Sequence, residues 1–169
     1  MRELQQVTKL QDILAEQNKI YSSLCHLLQS ENDYLIQSDI ENINKAASLK
    51  ESLMIEAEKK EGERLQLCSV LADRLRIFSE QPKLLEIAIK LPEPHKRKLI
   101  EHKKGLEGLF ADIKTLSSEN QVLAGRALNT IGGTLGAMKE GLTGSKTYEK
   151  KGKVDQNKGQ LKHLLNKSV

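Results

Sequence analysis

Tryptophan is absent from this chain of 169 residues, which also carries only two Phe and three Tyr. A compact globule of this size usually draws much of its core mass from aromatic rings. A chain without them needs a thinner interior, such as the seam between long helices. Proline is confined to Pro82, Pro92 and Pro94, so nothing of that kind interrupts a helix elsewhere. Cysteine is limited to Cys25 and Cys68, without metal-ligand spacing and within apolar helical patterns, which predicts buried reduced thiols. No apolar run approaches bilayer length: the longest patch, around Leu84 to Leu91, is far too short. Met1 to Gln17 is polar and amphipathic, unlike a signal peptide. These absences predict a soluble, cytoplasmic protein with no transmembrane segment.

Catalytic spacing is missing as well. His26, His95, His102 and His163 form no triad or ligand pattern, so no catalytic, metal or cofactor-binding residue is assigned and an enzyme is not expected. The run His102-Lys103-Lys104-Gly105 superficially looks like a histidine phosphotransfer bundle. That bundle needs its lysine three residues on, one helical turn away on the same face, whereas Lys104 stands two residues on and faces elsewhere.

What the chain has in quantity is Leu, Glu, Lys, Gln and Ala, with 30% charged residues, a composition that favours helix. Val7, Leu10, Leu14, Gln17, Tyr21, Leu24, Leu28, Glu31 and Leu35 repeat with gaps of three and four, a heptad seam widened by Ile13, Ile20, Leu27 and Tyr34. This predicts a first helix over about residues 3–37, roughly 50 Å long at 1.5 Å per residue. Ser38-Asp39-Ile40-Glu41 reads as a capping box and a tight turn into an antiparallel second helix over about 39–78. Its seam runs Ile43, Ala46, Leu53, Ala57, Glu61, Arg64, Cys68, Leu71, Leu75 and Phe78, and the run Lys59 to Glu63, with Gly62, predicts a solvated bend at its centre. A short apolar helix over about 83–91 follows between the prolines and is expected to plug one end of the bundle. Pro94 fits the first turn of a last helix over about 94–141.

That last helix carries the longest stripe: Leu99, Leu106, Leu109, Ile113, Leu116, Asn120, Leu123, Ala127, Ile131, Leu135, Met138 and Leu142. It also carries Gly105, Gly108, Gly125, Gly132, Gly133 and Gly136. At about 1 kcal/mol each relative to Ala, these glycines predict either close backbone approach or a helix that frays beyond about Met138. The expected fold is therefore all-α: an elongated antiparallel helical bundle or coiled coil of long helices over 1–141, with a flexible C-terminal tail over 142–169.

Charge divides the same way. The formal total is +4, yet Lys146 to Val169 holds seven Lys against Glu149 and Asp155, which leaves the rest of the chain near −1. A basic tail suits nucleic acid, an acidic membrane or an acidic protein surface. It has no Arg and only Tyr148 for stacking, so nucleic-acid recognition is poorly served. Leu161, Leu164 and Leu165 are its only clustered apolar residues, one turn of amphipathic helix that can form on a partner.

Three sets of residues resemble the FlgN-type flagellar export chaperones. The first is Leu27-Leu28, Glu31, Leu35, Asp39, Ile43, Ala46, Lys50, Leu53-Met54, Ala57, Glu61 and Arg64. The second is Leu116, Asn120, Leu123, Ile131, Leu135 and Met138, and the third is Thr147-Tyr148 followed by Gly152. Ser117 stands where that family has the first asparagine of a pair, and Lys60 where a leucine is common. The resemblance implies a chaperone that masks the assembly-prone terminal helices of hook–filament junction proteins and delivers them to a flagellar export gate component. It implies cargo binding by the end of the last helix and the tail (Asn120, Leu123, Ile131, Leu135, Met138, Leu142, Thr147, Tyr148, Gly152, Leu161, Leu164 and Leu165), with Tyr148 at the gate contact. A generic coiled-coil adaptor is the alternative reading. Self-pairing of an open seam into a homo-oligomer is a further one.

Overall fold

Residues 2–143 are described by the structure, a computed structural model. Four helices follow one another: α1 (Arg2–Gln37), α2 (Ile40–Arg74), α3 (Leu84–Lys90) and α4 (His95–Thr143). No strand occurs among the described residues, and none of their helices is long and apolar enough to cross a membrane.

The α1–α2 turn is built one residue later than the expected capping box. Ser38 adopts a left-handed φ of 57°. Behind it the Asp39 N–H returns to the Tyr34 carbonyl at 2.9 Å and closes α1. Ser38 is thus spent on ending one helix and cannot cap the next. Asp39 is the N-cap: its Oδ1 accepts the Asn42 backbone N–H at 3.1 Å and its Oδ2 accepts from Asn42 Nδ2 at 2.7 Å. These bonds hold the Asp39 carboxyl below its ordinary range.

Two further expectations for the second helix are corrected. The helix is not broken at Lys59 to Glu63; α2 continues through them, and the charges there find partners. Lys60 Nζ pairs with Glu16 of α1 at 2.6 Å and with Glu63 at 3.1 Å, so the lysine in a leucine position ties two helices together. Nor does the helix reach Phe78. Arg76 takes a left-handed φ of 54° and the Ile77 N–H bonds back to the Ala72 carbonyl at 2.9 Å, which ends α2 at Arg74. Ile77 turns in against the core and Phe78, expected in the seam, stands 98% exposed. Gly62 is left inside a regular helix with open space around the position of a Cβ. Gly62→Ala is therefore expected to stabilise the protein by about 1 kcal/mol. A urea midpoint that fails to rise would show that the glycine relieves a contact in this helix.

Direction follows from the cross-helix ties. Glu31 meets Lys50 and Glu16 meets Lys60, so α2 runs antiparallel to α1. Gln11 meets His95, Tyr21 meets Phe110 with ring centroids 4.8 Å apart, and Asn32 meets Asn120, so α4 runs parallel to α1. The short helix closes one end, as the pattern of Leu84 to Leu91 predicts. Ile87, Ala88 and Leu91 pack there with Val7, Leu10 and Leu14 of α1, Cys68 and Leu71 of α2, and Leu99 and Leu106 of α4. Each fully buried Leu or Ile contributes about 1.5–3 kcal/mol by leaving water, so this apolar plug anchors the helices. Both thiols are buried and reduced, and burial pushes the pKa of each up, away from reactivity.

The α4 helix extends to Thr143, past Met138, where the glycines predict fraying to begin. Close approach explains only Gly105, where a Cβ would stand 2.8 Å from Asn18 Oδ1. The chain divides into two compact units, Met1–Gln121 and Val122–Val169. Within the second, the described residues are the closing turns of α4.

Candidate partner-binding surface

The stripe along α4 changes character from one end to the other. Leu99 is fully buried and Leu106 nearly so. Leu109, Ile113, Leu116, Leu123 and Ala127 are half-buried. Leu135 and Met138 are 61% and 60% exposed. The apolar period of the sequence continues although its cover does not. A stripe that kept its period only to fill a core would become polar where the core ends. An uncovered continuation is the pattern of a helix that lends its face to another helix.

Asn120 sits just before this change and is 4% exposed. Its Nδ2 donates to the Leu28 carbonyl at 2.8 Å and to Glu31 Oε2 at 3.0 Å, and its Oδ1 accepts from Asn32 Nδ2 at 2.8 Å. Glu31 in turn accepts from Lys50 Nζ at 2.8 Å. One clasp thus joins α1, α2 and α4 around a buried amide. Its bonds form together in only one alignment of the three helices, which is how a single polar seam position sets register. The polar residue in the stripe marks Asn120 from sequence alone. Lys50 is marked only by the family pattern, and Asn32 carries no mark, because neither interrupts an apolar seam.

Of the other residues assigned to partner binding, Leu123 is half-buried, and Leu135 and Met138 face solvent. Ile131 and Leu142 lie on α4, as the period requires. Thr147, Tyr148, Gly152, Leu161, Leu164 and Leu165 lie outside the described residues. His102 borders a polar groove with Gln11, Asp12, Asn18, Lys98 and Glu101, and burial holds its imidazole pKa below the ordinary value. No group of His, Cys, Asp and Glu that could hold a metal ion occurs among the described residues.

A second polar tie lies mid-bundle. Glu61 accepts from Arg64 Nη2 at 2.6 Å and Nε at 2.7 Å, and from Gln17 Nε2 at 2.9 Å. The Arg64 bonds are the main reason its carboxyl pKa falls below the ordinary 4.5. A carboxylate with a depressed folded-state pKa contributes stability that is complete above its unfolded value and is lost as pH falls through the folded value. Lowering the pH from about 5 to about 3 is therefore expected to lower the urea midpoint of the wild type more than that of Glu61→Gln. Equal slopes for the two proteins would show that the tie contributes nothing to folding.

The described residues thus form helices only, with a polar clasp that ties α1, α2 and α4 and an apolar stripe on α4 that is exposed at Leu135 and Met138. The chain belongs to the FlgN family: the family described as FlgN protein matches residues 1–156, and with it comes the general role of a flagellar export chaperone. No curated protein and no solved structure matches the chain.

Proposed function

We propose that this chain binds the terminal helices of hook–filament junction proteins in the cytoplasm, prevents their premature assembly and delivers them to the export gate. The observation that carries this reading is the uncovered part of the α4 stripe, with Leu135 and Met138 about three-fifths exposed. A cargo helix with an unpaired apolar face finds there a surface of matching period. Asn120 serves as a positioning residue, holding α4 in register from inside rather than touching cargo. Leu123, and by the period of the sequence Ile131 and Leu142, complete the cargo contact. The tail supplies the rest: Leu161, Leu164 and Leu165 fold onto cargo, while Thr147, Tyr148 and Gly152 form the gate contact. Ordering a segment on binding keeps affinity below what the contact area alone would give, which suits a carrier that must release.

The test is co-expression with the junction proteins of the same genome and, separately, with its export-gate component, each followed by size-exclusion chromatography of wild type and Tyr148→Ala. A soluble complex of the junction protein with wild type and with Tyr148→Ala, and a gate complex with wild type only, is the expected result. No complex with any junction protein would leave a helical adaptor and overturn the proposal. A concentration-dependent shift of the chain alone would assign the open face to self-pairing.

A further inference from the structure

The end of the bundle closed by α3 carries a second exposed apolar group, far along the chain from the cargo face. Phe78 is 98% exposed, although its neighbour Ile77 packs on the core. Leu85 and Ile89, one helical turn apart on α3, are 41% and 58% exposed, while Ile87 and Ala88 of the same helix are buried. A short helix with one face on the core therefore turns its other apolar face outward, next in sequence to a loop that presents a bare phenyl ring.

The charge here is also distinctive. From Asp73 to Lys98 there are seven Lys and Arg against four Asp and Glu, in a body that is near −1 overall. Arg74, Arg76, Lys83, Lys90 and Lys96 have no ion-pair partner among the described residues. Of the nearby carboxylates, Glu86 is already engaged, accepting the Lys83 backbone N–H at 2.9 Å.

We propose that this end of the protein docks on an anionic phospholipid surface. An aromatic ring that is almost wholly exposed offers a knob and not a groove, so it does not suit a helix-in-groove partner. A headgroup layer accepts such a knob: apolar side chains enter the acyl boundary while surrounding cations meet lipid phosphates. Phe78, Leu85 and Ile89 supply the apolar part, and the unpaired lysines and arginines supply the charge. The surface shares no residue with the cargo face and does not depend on the function proposed above.

The absence of tryptophan provides the experiment. Phe78→Trp in the full chain places one indole at the proposed contact, on a residue whose exposure makes the change harmless to folding. Vesicles of phosphatidylcholine containing phosphatidylglycerol are expected to shift its emission to the blue, and added salt to reverse the shift. Phosphatidylcholine alone is expected to leave it unchanged. In co-sedimentation with the anionic vesicles, Phe78→Ser combined with Ile89→Ser is expected to lower the bound fraction several-fold. Four results would overturn the proposal. The first is emission that does not move, and the second is emission that moves equally on the neutral vesicles. The third is sedimentation that survives the double serine change and falls with Lys150→Ser, Lys151→Ser and Lys153→Ser, which would place the contact on the tail. The fourth is an emission shift with poly-glutamate where vesicles give none, which would assign this end to an acidic polypeptide.

Discussion

Leu135→Asp combined with Met138→Asp is expected to weaken cargo binding by at least about 100-fold and to leave thermal stability almost unchanged. The two side chains are 61% and 60% exposed, so their apolar surface gains little from folding and much from a partner. Burying a Leu or Met side chain from water yields about 1.5–3 kcal/mol, so losing most of that at two positions removes about 3–4 kcal/mol. At 1.4 kcal/mol per decade this is more than a hundredfold in affinity, before the cost of burying two carboxylates is added. The folded protein alone loses little, since exposed substitutions usually fall within about 0.5 kcal/mol. Titration calorimetry with a purified junction protein, alongside a thermal melt, reads both quantities. Leu49→Asp is the control, because Leu49 is similarly exposed, at 57%, but lies on α2 and outside the apolar stripe of α4, and it should bind as wild type. Unchanged affinity in the double variant would move cargo off α4. A large drop in melting temperature would make the pair structural.

The long seams were readable because gaps of three and four sustained over many turns have only one good explanation. Their ends were not, and the reasons are local. Ser38 and Asp39 are both good N-caps, and composition does not say which is consumed in closing α1. The apolar period of α2 continues through Leu75 to Phe78, so nothing in it announces that Arg76 turns left-handed and stops the helix. The charges from Lys59 to Glu63 looked like a wet bend because Lys60 has its partner in α1, at Glu16, a pairing visible only once the two helices are side by side. The clasp was half legible for the same reason. Asn120 interrupts an apolar stripe and Glu31 an apolar seam, but Asn32 looks like a surface residue, and Lys50, although part of the family pattern, shows no partner, until residues 88 and 19 positions away in sequence are brought beside them. Periodicity therefore reported the faces, and three-dimensional pairing decided which polar residues lie between them.

The glycines near the end of α4 yield the second large effect. Gly132, Gly133 and Gly136 sit in a helix with open space where each Cβ would be, so none is required by packing within the described chain. Each costs a helix about 1 kcal/mol relative to Ala, so together they weaken this stretch by about 3 kcal/mol. Nothing in the fold offsets that cost, whereas a cargo helix that orders the stretch would have to. Replacing all three by alanine is expected to raise helicity and to tighten cargo binding, by about 10-fold to about 100-fold if most of the 3 kcal/mol falls on the binding step. The change should appear chiefly as slower dissociation. Circular dichroism of the free protein and dissociation kinetics of the complex measure the two parts separately. Weaker binding despite higher helicity would mean that cargo packs directly on the bare glycine face. Unchanged binding would place cargo nearer Leu123 or on the tail. Tightening would assign the glycines a function: they hold affinity down so that a carrier can release what it delivers, and the alanine variant should then retain cargo that the wild type passes on.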